Sequence, residues 1–167
     1  MVTNVSVNSI YNCSLERAFK TPILCDISKV HTGYGFSPKV THCENDENWG
    51  KEGFSKKVFV APTFLQKGGW AFDDKVIERV ENKYWVLEVS NFQMPIFGFR
   101  KFIGTWKTTE IEANKILIEY SYSLHSNNSF LYPVHWLFGK IFWKQYMKQI
   151  VENVKSMINE KELYLYN

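Results

Sequence analysis

The side chains best suited to chemistry are tyrosines and a histidine. Tyr120 and Tyr122 alternate along a strand-like stretch, so both hydroxyls fall on one face and could donate hydrogen bonds to a carbonyl in an apolar cavity. His135 stands at the start of a helical stretch, where a partly exposed imidazole could guard the mouth of that cavity. Buried tyrosine hydroxyls more often have structural partners, so we assign no catalytic residue.

The sequence lacks the residue patterns that metal binding, nucleophilic catalysis and nucleotide binding require. The four histidines are scattered, and the adjacent His42, Cys43 and Glu44 would point to opposite faces of a strand. No GxSxG, Walker or Rossmann glycine pattern occurs. Glu78 and Glu88 fall on a predicted hairpin, where carboxylates are usually solvated. We therefore expect no metal, no cofactor and no activated nucleophile.

Composition narrows the class of protein. A chain of 167 residues is expected to form one domain, residues 1–167. Aromatic residues make up 17% of it, which predicts a large apolar lining or a ring-rich core. The net charge of +3 comes from interspersed charges and leaves no basic stripe for nucleic acid. Three cysteines without CxxC spacing, and a start without signal-peptide features, predict a reduced, cytoplasmic protein.

Alternation of apolar and polar residues predicts an antiparallel sheet of about six to seven strands. The last strand alternates most cleanly and predicts one buried face and one wet face. An apolar loop, Met94–Phe99, precedes the two longest strands. The predicted strands are Asn4–Tyr11, Lys39–Glu44, Phe54–Ala61, Lys75–Val80, Tyr84–Phe92, Phe99–Ile111 and Lys115–His125.

Helices are predicted on both sides of this meander. Ser14 is a predicted N-cap for a short helix that Pro22 closes, and a second helical turn around Asp26–His31 ends at Gly33. A long helix is predicted from about Val134 to Glu160. Strands followed by a helix indicate an α+β fold, in which the curved antiparallel sheet wraps around the long C-terminal helix.

Two apolar stripes run along the long helix. The first stripe, which we call the core seam, runs the full length of the helix. The other, which we call the second stripe, lies nearly opposite the core seam and occupies only the first half of the helix. The apolar run Phe130–Trp143 is too short to span a bilayer. Gly139 leaves room for a strand, a ring or a ligand. The core seam is Trp136, Gly139, Trp143, Met147, Ile150, Val154 and Met157/Ile158, and the second stripe is Val134, Leu137, Phe138, Ile141 and Phe142.

Several partners are compatible with the second stripe. The Met94–Phe99 loop or the short helices could pack on it, or it could form the mouth of a ligand pocket. It could also contact a membrane or a second protein, including a homodimer partner. That contact would use Leu137, Phe138, Ile141 and Phe142.

The order of elements resembles the START/Bet v 1-like (SRPBCC) superfamily of helix-grip proteins, in its polyketide cyclase/dehydratase-like branch. The resemblance covers about Thr3 to Glu160 and rests on element order more than on a motif. It implies a hydrophobic cavity between sheet and helix that binds lipids, sterols, polyketides or plant hormones, with cyclisation or dehydration in a minority of members. Trp49–Gly53 departs from the glycine-rich loop of the plant members. The segments that carry it are Val5–Phe19, Glu78–Val89, Phe102–Trp106, Ile116–Tyr120, Leu137–Lys140 and Val154–Met157.

The sequence thus predicts that a hydrophobic small molecule, lipid- or polyketide-like, binds between the sheet and the C-terminal helix. The alternatives are a cyclase or dehydratase of polyketide-like substrates, and a protein-interaction module that uses the apolar start of the helix. The predicted ligand-binding residues are Phe102, Trp106, Tyr120, Tyr122, Leu124, Trp136, Trp143 and Met147.

Overall fold

A curved antiparallel sheet dominates the computed structural model, which describes residues 1–64, 67–94 and 98–167. Within these residues seven strands lie in the order β1-β7-β6-β5-β4-β3-β2. The predicted antiparallel α+β architecture is confirmed. The strands are β1 (Val2–Asn12), β2 (Val40–Glu44), β3 (Ser55–Val60), β4 (Gly69–Val80), β5 (Tyr84–Ser90), β6 (Phe99–Glu112) and β7 (Lys115–Ser126).

Strand β4 differs most from its predicted bounds. It begins at Gly69 rather than Lys75, because Trp70 and Phe72 continue the ladder opposite β3. Aspartate is depleted in strands, so the adjacent Asp73 and Asp74 prevented strand propensity from predicting the first part of β4. The earlier start brings Asp74 onto the sheet, opposite Lys56. Residues 95–97 of the predicted Met94–Phe99 loop lie outside the described residues.

The helices follow the predicted order with shifted ends. Ser14 caps α1 (Leu15–Leu24) by accepting a hydrogen bond from the Arg17 amide. The second helix, α2 (Ile27–Val30), is capped by Asp26 and ends at His31 rather than Gly33. After a 3-10 turn, the long helix consists of α3 (Tyr132–Leu137), a π-helical segment (Phe138–Trp143) and α4 (Lys144–Asn159).

Helix α1 does not end at Pro22, so that expectation is wrong. Pro22 lies inside α1, which continues to Leu24. Because proline has no N–H, the carbonyl of Ala18, four residues earlier, loses its helical donor. The indole N–H of Trp106, from β6, donates to that carbonyl at 3.2 Å. The sheet thus supplies the hydrogen bond that the helix cannot make.

Two further indoles attach α1 to its surroundings. The Trp85 N–H donates to the Phe19 carbonyl at 3.3 Å, and the Trp49 N–H donates to the Ile23 carbonyl at 2.8 Å. All these groups are buried, so each bond gives a buried indole N–H the acceptor that it needs. Part of the high aromatic content therefore serves to hold one helix on the sheet.

The π-helical segment changes the direction in which side chains point around the axis of the long helix. The Lys144 amide reaches the Gly139 carbonyl, five residues back, and such a wide turn rotates the preceding side chains relative to those that follow. Trp136 therefore leaves the core seam: it is 48% exposed, and its predicted place in the seam is wrong. Gly139 lies against β1, where a Cβ would stand 2.8 Å from Cγ2 of Thr3 and 3.1 Å from Cγ2 of Val5. The space at Gly139 is thus taken by a strand.

Candidate functional site

A cavity of about 340 Å³ lies between the concave face of the sheet and the C-terminal helix. Its wall is mainly aromatic and aliphatic, with a small polar group at one place. The apolar part of the lining includes Phe36, Val40, Val60, Ala71, Phe72, Val89, Phe92, Met94, Phe102, Phe138, Phe142 and Trp143, and the polar part is His31, Ser37, Asp74, Tyr122 and Tyr146.

The π-helical segment builds one wall of this cavity. Phe138 and Trp143, five residues apart, have ring centroids separated by 5.8 Å. Phe142 stacks on Phe36 of the α2–β2 loop, with 3.8 Å between the ring centroids. Phe138 is only 7% exposed. The second stripe is therefore divided: Phe138 and Phe142 line the cavity, as the pocket alternative expects, whereas Leu137 and Ile141 are exposed. The partner contact through the stripe stays a prediction.

The loop that carries Phe36 is held to α4 by amide side chains. Asn153 donates to the Val30 carbonyl at 2.9 Å. Gln149 donates to the hydroxyl of Thr32 at 2.8 Å and to the carbonyl of Gly33 at 3.0 Å. These bonds attach the loop to the helix on which the other aromatic wall is built.

A polar cluster interrupts the apolar lining. Nδ1 of His31 lies 2.7 Å from the hydroxyl of Tyr146. Burial lowers the pKa of His31 to about 4, with Lys56 acting in the same direction, so the imidazole is neutral at pH 7. Burial also raises the pKa of Tyr146 above its usual range. The pair can therefore offer a neutral hydrogen-bonding group to a bound molecule.

Asp74 is the most unusual member of this cluster. Its side chain is buried, and its Oδ1 has no hydrogen-bond partner among the described residues. Burial raises the pKa of Asp74 to about 6, although Lys56 lowers it. Lys56 is also buried, with its ammonium 3.8 Å from the centroid of the Trp49 ring. At pH 7 this carboxyl group is therefore mostly ionised, and one of its oxygens has no partner among the described residues.

The indole N–H of Trp143 is a second unpaired polar atom in the lining. It is buried and has no acceptor among the described residues. A buried polar group without a partner costs about 1–3 kcal/mol. Asp74 offers an acceptor and Trp143 offers a donor, so a molecule that carries both kinds of group could satisfy the two residues together.

The predicted ligand-binding residues are distributed over several environments. Three of them, Phe102, Tyr122 and Trp143, line the large cavity. Trp106 and Tyr120 line a neighbouring space of about 30 Å³. The other three line neither space: Leu124 and Met147 are buried in the core, and Trp136 lies on the surface.

The residues considered for acid–base chemistry are placed elsewhere. His135 is 1% exposed and packs against Phe99, with ring centroids 4.4 Å apart, so its predicted partial exposure is wrong. Glu78 is exposed and accepts a hydrogen bond from Tyr84. Glu88 pairs with Lys101 at 2.7 Å. None of these three candidates lines the large cavity.

Apart from Tyr122, the polar residues that line the cavity were not predicted. His31 lies at the end of a short helix and Tyr146 on the long helix, without a motif to connect them. Asp74 follows Asp73, and an Asp-Asp pair usually indicates a turn. The one available signal was the lysine on β3 opposite Asp74, because a charge that points to the core face needs a counter-charge.

In residues 1–64, 67–94 and 98–167, His, Cys, Asp and Glu side chains form no group of three able to hold a metal ion. In the same ranges, no helix is long and apolar enough to cross a membrane.

The chain is similar in structure to several solved proteins. No family model and no curated protein matches it. The crystal structure of Ara h 8.0201 superposes with a TM-score of 0.70 at 16% identity, over 96% of this chain and 99% of that one. A START superfamily protein from Mycobacterium smegmatis gives a TM-score of 0.68 at 11% identity, over 95% and 98%.

A third solved structure is that of an enzyme. Norcoclaurine synthase from Thalictrum flavum, in complex with dopamine and hydroxybenzaldehyde, gives a TM-score of 0.66 at 10% identity, over 98% of this chain and 90% of that one. Identities this low show the fold alone. The chain has the START/Bet v 1-like helix-grip fold, as its element order predicts.

Proposed function

We propose that this protein binds a hydrophobic small molecule in the cavity between the sheet and the C-terminal helix. The apolar body of the ligand packs on the aromatic wall, and its polar end reaches Asp74 and Trp143. The observation that carries the proposal is the Oδ1 of Asp74, which is buried in a mainly apolar cavity and has no partner among the described residues. Burying apolar surface contributes roughly 25 cal/mol per Å², and the polar atoms select the orientation.

The polar atoms predict which head groups are accepted. An ionised carboxylate in the cavity attracts a hydrogen-bond donor or a cation and repels an anion. Octan-1-ol and octylamine, which share one alkyl chain, should therefore bind, whereas octanoate should bind weakly. Binding of the amine should strengthen as the pH rises through about 6, where Asp74 ionises.

Displacement of a fluorescent hydrophobic probe would test this selectivity. Asp74→Asn should weaken amine binding about tenfold or more, since a charge-assisted bond becomes a neutral one. Trp143→Phe should weaken octan-1-ol binding, and the matched surface variant Trp136→Phe should not. Equal affinity for the three head groups, or no probe binding at all, would contradict the proposal. Native mass spectrometry of protein from its host would then identify the ligand.

A second candidate function is catalysis on a polyketide-like substrate, as in a cyclase or dehydratase. It is favoured by the pKa of Asp74, which at about 6 suits a general base. Asp74 would remove a proton next to a carbonyl, and the Tyr146 hydroxyl would donate a hydrogen bond to the enolate oxygen that forms. The protonated Asp74 would then give that proton to the β-hydroxyl, so that the C–O bond breaks and water leaves. Loss of water from a β-hydroxyketone probe, followed by mass spectrometry, tests this function. It should disappear in Asp74→Asn, and an inactive parent protein rules it out for that probe.

A further inference from the structure

The start of the C-terminal helix exposes an unusual number of large apolar side chains. We call them the apolar face. Phe130 is 95% exposed, Leu137 is 52% exposed and Ile141 is 57% exposed. Single exposed apolar residues are normal, but a group on successive turns of one helix marks an interaction site. The apolar face comprises Phe130, Tyr132, Val134, Trp136, Leu137 and Ile141.

The apolar face is the reverse side of the cavity wall. Phe138 and Phe142 point into the cavity from the same turns from which Leu137 and Ile141 point outward. A helix that is apolar on both sides needs a partner on each. The sheet and the α2–β2 loop cover the inner side, and the exposure values show that the outer side is uncovered by the described residues.

The charged residues in the stretch of chain that carries the apolar face are all of one sign. No Asp or Glu occurs from Tyr120 to Val151, whereas Lys140, Lys144 and Lys148 are exposed in this span. Trp136, Lys140 and Lys144 follow one another at intervals of four residues, so they lie on consecutive turns. The Lys140 ammonium is held at the β1 edge by the Asn4 carbonyl at 2.8 Å.

This charge pattern favours a membrane over a second copy of the chain as the partner of the apolar face. In a symmetric dimer the same patch meets itself, so the lysines of both copies would be brought together, and the helix stretch that carries them has no acidic residue to pair with them. An anionic bilayer instead supplies negative head groups for the lysines and hydrocarbon for Leu137 and Ile141. The rings of Tyr132 and Trp136 are of the type enriched at the boundary between the two.

We propose that the apolar face docks on the surface of an anionic lipid bilayer. The helix would lie in the plane of the interface, with its apolar residues in the acyl boundary and its lysines among the head groups. The turns that touch the membrane are then the turns that form the cavity wall, so the binding site stands next to a reservoir of hydrophobic molecules. Docking does not depend on the proposed cavity function, and each can fail alone.

Sedimentation with lipid vesicles tests the proposal. The protein should bind phosphatidylcholine vesicles that contain about one third phosphatidylglycerol, and bind pure phosphatidylcholine poorly. Binding should weaken at an ionic strength of about 1 M, where the Debye length falls to about 3 Å. Leu137→Ser with Ile141→Ser should lower the partition coefficient about tenfold or more. Lys140→Gln with Lys144→Gln should do the same for the anionic vesicles alone.

Matched controls lie at the opposite end of the sheet. Ile111, 45% exposed beside the β6–β7 turn, provides Ile111→Ser, and Lys83 in the β4–β5 turn provides Lys83→Gln. Neither should change vesicle binding, and probe displacement from the cavity should be unchanged in every variant. The proposal is overturned if the parent protein does not bind anionic vesicles, or if the controls lose binding equally. Light scattering that shows a dimer dissociated by Leu137→Ser would also overturn it.

Discussion

A single residue, Asp74, accounts for most of the chemical character of the cavity. Its carboxyl group is buried among aromatic rings, and one oxygen has no partner among the described residues. Ionised carboxyl groups are rarely kept in such a place unless they are used, because their burial opposes folding. Lys56 compensates only in part, since burial still raises the pKa of Asp74 to about 6.

The raised pKa predicts a specific dependence of stability on pH. A carboxyl group whose folded pKa lies above its unfolded value stabilises the protein fully below pH 4 and loses that contribution as the pH rises through about 6. Asp74→Asn should therefore raise the free energy of unfolding by about 1–3 kcal/mol at pH 7 and have little effect at pH 4. Urea denaturation at both values measures this difference.

The control for this prediction is Asp73→Asn, the neighbouring carboxylate, which should give no such pH-dependent gain. Asp73 already accepts hydrogen bonds from Trp70 and Asn91. If Asp74→Asn destabilises the protein equally at pH 4 and pH 7, then the carboxylate has an essential partner and its description as unpaired is wrong.

At the scale of elements, α1 and β6 depend on each other through a hydrogen bond. Pro22 removes the helical donor for the Ala18 carbonyl, and the Trp106 indole replaces it at 3.2 Å. Trp106→Phe should cost about 1–3 kcal/mol of unfolding free energy, because the buried carbonyl is left unsatisfied. In a Pro22→Ala background the cost should be smaller, since the new amide N–H can donate to Ala18.

A double-mutant cycle measures this coupling. Trp70 provides the control, because its indole donates to Phe72 and Asp73 rather than to α1. Trp70→Phe should be additive with Pro22→Ala. Additivity of Trp106→Phe with Pro22→Ala would show that the indole does not compensate for the proline.

The contact between the π-helical segment and β1 gives a second prediction for elements. Gly139→Ala would place a Cβ 2.8 Å from Cγ2 of Thr3 and 3.1 Å from Cγ2 of Val5. Such overpacking costs about 1–3 kcal/mol, which should outweigh the gain of about 1 kcal/mol in helix propensity. Thr3→Ser removes the closer methyl group, so Thr3→Ser with Gly139→Ala should recover part of the loss. Thermal unfolding of the three variants tests this, and a stabilised Gly139→Ala protein would contradict it.

At the scale of the whole molecule, the cavity of about 340 Å³ makes stability depend on the ligand. A ligand at about 100 times its Kd adds about 2.7 kcal/mol, which for a chain of this length raises Tm by about 5–10 °C. Ala71→Phe should fill part of the cavity and reduce this shift. The control Ala113→Phe, on the exposed β6–β7 turn, should leave the shift unchanged. An equal shift in Ala71→Phe would place the ligand elsewhere.

Local patterns in the sequence were sufficient for the architecture. The alternating strands, the Ser14 cap and the apolar periodicity of the C-terminal helix predict the antiparallel sheet and the helix that it wraps, because these signals act over a few neighbouring residues. Three cavity residues, Phe102, Tyr122 and Trp143, were predicted in the same way, from the buried face of an element.

Only the tertiary structure decided the chemistry of the site. His31, Asp74 and Tyr146 belong to three elements far apart in sequence, and no local signal connects them. The π-helical segment has no signature in composition, yet its one wide turn moves Trp136 to the surface and directs Phe138 and Phe142 inward. The environment of a side chain depends on the direction in which its helix or strand points it and on the residues that the fold places against it. Both are properties of the folded chain.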